Sequence, residues 1–498
     1  MINNNFDLND HNDNNKNNIL INNVNFNENK NIINNNFNSN NAKINNINNF
    51  NNNNINFNNN NNNFNNNISN NNNFKNNLDN KFNKNVNNNF NNNFNNFIKN
   101  NFVNNIKINQ NNVQNLGFII NNQNKLNGVI SNNINNDLIK FPEKKKNDVF
   151  SLIKSPSAKG LVNVGATCYM NATIQCLAHV RQLTKYLLNF QNTNEMDEKK
   201  YKLTKSYKEV LDNLWLNNNK NNYVNHYTPN NFKNIISEMN PLFAGVQAND
   251  SKDLVLFMLE TMHNELNKSN KNIKENAVGI PNPYDFNSTL NIFKNYFISN
   301  YNSIISNLFY GMYNSMLTCL KCNDTTHNIQ CYNYLIFFLE EVRIFKNKAQ
   351  NMVNIIDCFE YYQKAQHLEG ENQIYCNRCK TMADCYNLTK IIICPNVLVI
   401  NLNRGKGLQF NIKIDFDEYL DLINFVYYKE ESPTFYELIG IVTHLGPSNM
   451  SSPSIAFCKS FVDNQWYKYN DTQVNLSSFE EAKSAGVPCI LFYSYIKR

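Results

Sequence analysis

The sequence has no cysteine before Cys168, no long apolar run and only a slight excess of one charge. Its longest apolar runs, such as residues 391–394, fall far short of the roughly 20 residues that a membrane-spanning helix needs. The first residues also lack the charged stretch and apolar core of a signal peptide. These absences predict a soluble protein of the cytoplasm and/or nucleus, with no membrane partner.

The charges are nearly balanced over the 498 residues. There are 46 Lys and Arg residues against 39 Asp and Glu residues, which gives a formal net charge of +7. No dense cluster of Arg and Lys interleaved with aromatic residues appears, although such a cluster is typical of nucleic-acid binding. We therefore expect no nucleic-acid partner.

The twelve cysteines all lie in the region from 160 to 498. A region of that length can build its own hydrophobic core, so the cysteines are not the framework of a small disulfide-rich domain. This distribution predicts a reducing compartment.

Residues 1–145 are dominated by asparagine and show no sustained helical or strand period. Such a segment cannot bury enough apolar surface to offset an ordering cost of about 1–2 kcal/mol per residue. We predict a disordered, low-complexity region over 1–145, a linker over 146–159 and one folded domain over 160–498.

The folded domain begins with a glycine-containing loop that leads into Cys168. The residues after Thr167 have the apolar spacing of a helix, which places Cys168 at a helix N-terminus. The unpaired N–H groups and the dipole at that end favour a thiolate, the nucleophilic form of cysteine. A second helix is predicted to start directly after an N-cap at Asn249 or Asp250, with Asp253 in its first turn, and to carry apolar residues on one face as far as Leu266. Residues 267–302 look polar and are interpreted as an insertion.

Two Cys-x-x-Cys pairs lie farther along the chain. Four thiolates with this spacing can enclose one tetrahedral Zn²⁺ and leave no open position, so the predicted metal role is structural. The alternative is two unrelated reduced pairs. The four sulfur ligands would come from Cys319, Cys322, Cys376 and Cys379. The remainder of the chain is rich in predicted strands, two of them separated by Pro395.

The run from Gly160 to Asn171 closely resembles the cysteine box of the ubiquitin-specific proteases, papain-like cysteine peptidases that cut ubiquitin from its conjugates. The resemblance implies that Cys168 is the nucleophile and that Asn163 donates a hydrogen bond to the tetrahedral oxyanion. Ala166 stands where the family usually has asparagine.

The later motifs follow in the family's order over about 160–498. They imply that Gln247 lies near the oxyanion site and that Asp250 accepts hydrogen bonds from the basic tail of ubiquitin. They also imply an α+β, papain-like fold with a helical thumb (about 160–300), zinc-bearing fingers within about 305–390, and a β-rich palm.

The pattern breaks at the general base. In the family this is the histidine of a Gly-His-Tyr-x-Ala-Tyr segment, and the matching position here is Pro453, which cannot carry a proton on its side chain. The family's spacing then leads to Asn470 and Asp471, which the resemblance implies would orient the imidazole and assist the oxyanion region. His444 is the nearest substitute in the sequence.

The expected function is thiol-dependent hydrolysis of the isopeptide bond after ubiquitin's C-terminal glycine, impaired by the proline. The alternative is a catalytically inactive pseudoenzyme or scaffold that binds ubiquitin. Either function predicts ubiquitin and ubiquitinated proteins as partners.

Overall fold

A computed structural model describes residues 148–191, 200–216, 225–269, 281–347, 351–404, 411–446 and 453–497. The predicted disordered region 1–145 lies outside these residues. The described chain mixes helices and strands, which confirms the predicted α+β class. Within it, no helix has the length and apolar character of a membrane span.

The helices are concentrated in the predicted thumb, where α1–α6 lie. In chain order they are α1 (Cys168–Ala178), α2 (Arg181–Leu188), α3 (Lys202–Trp215), α4 (Asn230–Met239), α5 (Ser251–Leu266), α6 (Phe286–Asn300), α7 (Ile304–Phe309), α8 (Leu339–Phe345), α9 (Ile355–Tyr362) and α10 (Phe479–Ser484). Short 3-10 helices span Val149–Leu152, Pro241–Phe243 and Gly370–Asn372.

Strands dominate the rest of the described chain. They are β1 (Gly160–Leu161), β2 (His226–Tyr227), β3 (Gly311–Cys319), β4 (Thr325–Tyr332), β5 (Leu335–Phe338), β6 (Met352–Asn354), β7 (Gln366–Leu368), β8 (Ile374–Cys376), β9 (Thr381–Ala383), β10 (Cys385–Ile393), β11 (Val397–Asn403), β12 (Lys413–Asp415), β13 (Tyr419–Asp421), β14 (Phe435–His444), β15 (Ser454–Lys459), β16 (Trp466–Asn470), β17 (Gln473–Ser477) and β18 (Val487–Tyr495). Pro395 separates β10 from β11 as predicted, because proline cannot donate a backbone hydrogen bond to a sheet.

The palm is an eight-stranded sheet in the order β17-β16-β15-β14-β18-β11-β5, with β13 paired to β14. Most of its pairs are antiparallel, and β11 pairs with β5 in parallel. The fingers are a separate sheet, β4-β3-β10-β7, and the short hairpin β8–β9 carries the second Cys-x-x-Cys pair.

Helix α1 is the central element between thumb and palm. Every residue after Cys168 in it is buried, which is typical of a helix enclosed on all sides. Its neighbours include α5 on one side and the palm strands β14 and β15 on the other. A side chain at Gly440 of β14 would start 3.2 Å from the Cys176 sulfur, so the strand passes very close to the helix. Cys168 thus begins a helix that is held rigidly in the core.

The prediction of a polar insertion over 267–302 is wrong for the second half of this segment, which forms helix α6. Asp285 caps this helix by accepting hydrogen bonds from two backbone N–H groups. Leu290, Phe293 and Phe297 are buried against the fingers. Their helical spacing is visible in the sequence, but the asparagines between them obscured it.

Part of the predicted linker 146–159 packs against the domain. Phe150 lies with its ring centroid 5.5 Å from that of Phe461, and the Tyr469 hydroxyl donates to the Ser157 carbonyl at 2.7 Å. Ser157 is fully buried. This part of the segment therefore belongs to the folded body.

His179 locks the end of α1 to the palm. Its Nδ1 lies 2.8 Å from the Gln175 carbonyl oxygen, and its Nε2 lies 3.1 Å from the Tyr469 hydroxyl in β16. A carbonyl only accepts hydrogen bonds, so Nδ1 carries a proton. Burial lowers the pKa of His179 to about 4, although the Gln175 contact partly opposes this.

This pKa predicts that His179 makes the fold acid-sensitive. An unfolded histidine has a pKa of about 6.5, so below that pH the unfolded chain takes up a proton that the folded chain does not. The contribution of neutral His179 to the free energy of unfolding is fully present above pH 6.5. It decreases by up to about 3 kcal/mol as the pH falls toward 4. Denaturant unfolding of wild type and His179→Gln at pH 7 and pH 4.5 measures it. Wild type should lose about 2 kcal/mol more than the variant, and equal losses would contradict the prediction.

Candidate active site and metal centre

Cys168 is half-buried at the first position of α1, directly after the N-cap Thr167. The loop before it is held by the Thr167 hydroxyl, which accepts from the Val164 N–H at 2.9 Å. The first N–H groups of a helix have no intrahelical partner and favour negative charge nearby. The thiol is thus where the sequence predicts it, at the positive end of a buried helix.

The loop requires left-handed backbone at two successive residues. Gly165 has a φ of 115°, which glycine adopts without strain, and Ala166 has a φ of 47°. Asparagine tolerates the left-handed region better than alanine does, which is a physical reason for the family's usual asparagine at this position. Ala166 therefore keeps the loop geometry at some cost in strain.

The Asn163 amide is fixed from both ends. Its Oδ1 accepts from the N–H groups of Gly165 at 3.2 Å and Thr167 at 2.9 Å, and its Nδ2 donates to Asp471 Oδ2 at 3.1 Å. The residue is solvent-exposed, and Nδ2 carries a second hydrogen. The geometry is suited to donating a hydrogen bond to an oxygen next to Cys168.

Asp471 joins the palm to this loop. It lies in the turn between β16 and β17 with a φ of 49°, and its carboxylate also accepts from Asn171 Nδ2 at 2.7 Å. Its carbonyl oxygen accepts from the Leu161 N–H at 2.8 Å. A side chain at Gly160 would start 2.4 Å from that oxygen, so only glycine permits this approach. The half-buried Asn470 ends β16 immediately before this turn.

Pro453 lies at the same end of the sheet. It is exposed and directly precedes β15, and its carbonyl oxygen accepts from the Leu445 N–H at 3.1 Å. Strand β15 runs antiparallel to β16 with Ala456 opposite Tyr469, so the start of β15 lies beside the end of β16. The proline thus stands near the turn that carries Asp471.

The described histidines offer few substitutes for a base. The rings of His179, His263, His327 and His367 contact partners outside the Cys168 loop, and His226 lies exposed on β2. His444 is mostly buried at the end of β14, with Nδ1 3.2 Å from the Ser454 hydroxyl.

Asp250 is the N-cap of α5. Its Oδ1 accepts from the Lys252 N–H at 2.9 Å, and its Oδ2 lies 3.1 Å from Lys252 Nζ. Burial raises the pKa of Asp250, but the charge and hydrogen bonds of Lys252, together with His444, outweigh this and lower it below its usual value. Asp250 is therefore a carboxylate with both a structural and an electrostatic role.

Gln247 is exposed on the loop that precedes this cap. Its carbonyl oxygen accepts from Asn249 Nδ2 at 3.3 Å, and the same Nδ2 lies 3.4 Å from the Tyr169 hydroxyl. The neighbouring Val246 would be 3.0 Å from a side chain at Gly165. The structure therefore brings the Gln247 loop against the Cys168 loop, although the two are far apart in sequence.

The four predicted metal ligands form one cluster at the tip of the fingers. The Sγ atoms of Cys319, Cys322, Cys376 and Cys379 all lie within 4.8 Å of one another. Two of the separations are 3.9 Å and 3.7 Å. Tetrahedral coordination with bonds of about 2.3 Å puts sulfur atoms ~3.8 Å apart, so the cluster can bind a metal ion.

Each Cys-x-x-Cys pair has the same backbone turn. The residues after them, Asn323 and Lys380, have φ values of 58° and 55°, and each donates its N–H to the carbonyl of the pair's first cysteine at 2.8 Å. The Cys379 N–H donates to the Cys376 sulfur at 3.4 Å and is the main cause that lowers the pKa of Cys376 to about 7. Contact with Cys322 instead raises the pKa of Cys379 to about 12, so the four thiols have unequal pKa values.

Comparison with known proteins gives a family for this architecture. The family model described as ubiquitin carboxyl-terminal hydrolase matches residues 159–493. Similar proteins include Usp2 of Drosophila melanogaster (26% identical over 346 residues, 68% of this chain and 35% of that protein). Human ubiquitin carboxyl-terminal hydrolases 2 and 21 are 25% and 26% identical, over 68% of this chain and 56% and 61% of theirs. The chain thus spans between 35% and 61% of these relatives.

Solved structures share the fold. The SAGA DUB module Ubp8/Sgf11/Sus1/Sgf73 bound to monoubiquitin aligns with a TM-score of 0.52 and 21% identity, over 77% of each chain. The yeast SAGA DUB module with a mutant Sgf73 aligns with a TM-score of 0.50 and 21% identity, over 70% of each. The region that the family model matches, residues 159–493, contains the thumb, the four-cysteine fingers and the palm. This chain therefore belongs to the ubiquitin carboxyl-terminal hydrolase family of deubiquitinating proteases, as a ubiquitin-specific protease.

Proposed function

We propose that this chain is a thiol-dependent deubiquitinating protease that hydrolyses the isopeptide bond after ubiquitin's C-terminal glycine, with slow turnover. The observation that carries the proposal is the half-buried Cys168 at the start of α1, beside the fixed Asn163 amide. Family membership supports the reaction. A structure of the same fold that holds monoubiquitin supports the partner.

The reaction divides among the residues of the site. The Cys168 thiolate attacks the carbonyl carbon of the last ubiquitin glycine, and Asn163 Nδ2 donates to the resulting oxyanion. One such donor is worth about 2.7–4 kcal/mol. Collapse of the intermediate breaks the C–N bond, and the leaving lysine amine must take up a proton. Water then hydrolyses the thioester and restores the thiol.

Pro453 limits the step that needs a proton donor. General acid–base assistance commonly contributes ~10²–10⁴ in rate, and a proline side chain supplies none. In this proposal Asn470 and Asp471 retain their places in the family pattern, and Asp471 acts by holding Asn163. His444, which lies at the end of β14 beside Ser454, is the candidate that could replace the missing base.

The second candidate function is ubiquitin binding without turnover, by a pseudoenzyme or scaffold. The observation that favours it is the exposed Pro453 at the position of the family's general base. Both functions place Gln247 near the oxyanion site and assign Asp250 to the basic tail of ubiquitin. Both have ubiquitin and ubiquitinated proteins as partners.

The four-cysteine cluster is proposed to hold one structural Zn²⁺. A tetrahedral four-sulfur set suits this ion and leaves no position for a reacting water. We also propose a reducing location, the cytoplasm and/or nucleus, which suits twelve free cysteines.

The zinc proposal predicts one equivalent of the metal in the purified chain. Cys376→Ser should lose the metal and lower the melting temperature, because metal binding contributes to folding free energy. Cys385→Ser is a matched control, since this buried cysteine adjoins the cluster and is not among its four ligands. A well-folded wild type without zinc by elemental analysis would contradict the assignment.

Asp250 is predicted to bind the basic tail of ubiquitin through its charge. Asp250→Asn keeps an oxygen that can cap α5 but removes the charge, so affinity should fall by about 1.5–3 kcal/mol with little change in stability. Calorimetric titration with ubiquitin measures the affinity. Lys252→Gln is the control, because it removes the ion pair with Asp250 but keeps the Asp250 carboxylate. Unchanged affinity for ubiquitin in Asp250→Asn would contradict the assignment of Asp250 to the ubiquitin tail.

The decisive prediction concerns Pro453. Wild type should bind ubiquitin but hydrolyse an amide-linked ubiquitin fluorophore slowly, and an ester-linked one with a smaller deficit, since an amine needs a proton to leave. Replacement of Pro453 by His, with Ser452→Gly and Ser454→Tyr to restore the family segment, should raise amide turnover by ~10²-fold or more.

Three controls interpret that gain. It should vanish with Cys168→Ala and shrink with Asn470→Ala, which leaves the new imidazole poorly oriented. Full activity in wild type that is lost in His444→Ala would identify His444 as the base. A triple variant that folds, binds ubiquitin and remains inert would favour the binding function.

A further inference from the structure

Asn171 is a buried polar residue one helical turn after Cys168, with 3% of its surface exposed. Asparagine is a poor residue for a helix interior, and a buried amide is unfavourable unless hydrogen bonds compensate. Its Nδ2 donates to Asp471 Oδ1 at 2.7 Å and to the Leu161 carbonyl at 3.2 Å. The side chain thus connects α1 to the β16–β17 turn and to β1.

The orientation of this amide is fixed by its partners. Both are acceptors, so Nδ2 must face them. The Oδ1 atom of Asn171 is buried and has no partner in the described structure. A buried acceptor without a hydrogen bond is destabilising. Stability alone therefore explains Asn171 poorly, and its hydrogen bond to Asp471 points to a different role.

The Asp471 carboxylate divides its two oxygens between two amides. Oδ1 accepts from Asn171 and Oδ2 accepts from Asn163 Nδ2 at 3.1 Å. Asn163 is exposed and Asn171 is buried, so the carboxylate links an internal anchor to a surface group. Without the anchor, a carboxylate on a turn has freedom to rotate away from Asn163.

We propose that Asn171 is a positioning residue for the oxyanion donor. It holds the Asp471 carboxylate in one orientation, and the carboxylate in turn directs the Asn163 amide toward the carbonyl that Cys168 attacks. This inference rests on the proposed function, because it takes Asn163 as the oxyanion donor. It adds a residue that acts through Asp471 and Asn163.

The test uses two ubiquitin ligands that differ at the reacting carbon. Ubiquitin with a C-terminal aldehyde forms a tetrahedral adduct with Cys168 that carries the oxygen Asn163 would bind, and no amine has to leave. Unmodified ubiquitin binds without this adduct. Asn171→Leu should weaken capture of the aldehyde by ~10-fold or more and leave the affinity for unmodified ubiquitin unchanged.

Thr173→Val is the matched control. Thr173 is also buried in α1 and donates to the Tyr169 carbonyl at 2.9 Å, away from Asp471. This variant should change neither affinity selectively. If Asn171 has only a structural role, Asn171→Leu should lower the affinities for the aldehyde and for unmodified ubiquitin together, or lower neither.

A double-mutant cycle identifies the route of the effect. In an Asn163→Ala background, Asn171→Leu should cost nothing further, because the donor that it positions is gone. If the losses caused by Asn163→Ala and Asn171→Leu add, the inference about Asn171 is overturned and the proposed function is not. Equal aldehyde capture by Asn171→Leu and wild type would have the same meaning. Equal aldehyde capture by Asn163→Ala and wild type would overturn the proposed oxyanion role of Asn163, and this inference with it.

A second variant covers the case in which Asn171→Leu does not fold. Asn171→Ser keeps a donor hydroxyl on a side chain too short to reach Asp471 from the helix. It should show the same selective loss for the aldehyde. Retained aldehyde capture in a folded Asn171→Ser would count against the inference as well.

Discussion

The Asp471 carboxylate is the contact on which the geometry of the site depends. It lies on a turn of the palm and accepts from Asn163 and Asn171, which belong to the first loop and first helix of the thumb. Asn163 and Asn171 precede it by some 300 residues of chain. The close approach of Gly160 to the same turn brings the two parts together. Loss of this carboxylate would release the Asn163 and Asn171 amides from the palm turn, although the backbone hydrogen bond from Leu161 would remain.

The sequence predicted the elements with strong local signals. Short patterns predicted the start of α1 at Cys168, a cap of α5 at Asn249 or Asp250 (the structure has Asp250), the break at Pro395 and the grouping of the four cysteines. Helix α6 was missed because asparagines interrupt its apolar face. The packing of residues 148–159 was missed because the contacts that hold Phe150 and Ser157 come from residues late in the chain.

The candidate site was predictable in part, for a related reason. The motif points to Cys168 and Asn163, but the hydrogen bond from Asn171 to Asp471 is visible only once the β16–β17 turn lies against α1. The double role of Asp250, as a helix cap and as a lowered-pKa carboxylate beside Lys252, likewise requires the folded chain. Long-range hydrogen bonds between polar side chains leave no period in a sequence.

In the proposed function, a site that has Cys168, Asn163 and the Asp471 carboxylate but carries Pro453 separates two demands of the reaction. Attack on the carbonyl needs a thiolate and an oxyanion donor, and both depend on the start of α1 and the Asp471 bridge. Release of the amine needs an acid, and the proline removes it. The first demand can therefore be met in a chain that meets the second poorly.

The most direct test is covalent capture of ubiquitin that carries a C-terminal vinyl sulfone, which reacts with a thiolate and releases no amine. Intact mass and peptide mapping should show one ubiquitin per chain, attached to Cys168 and absent in Cys168→Ala. A chain that binds ubiquitin but forms no adduct, or forms it on another cysteine, would contradict the claim that Cys168 is a competent nucleophile.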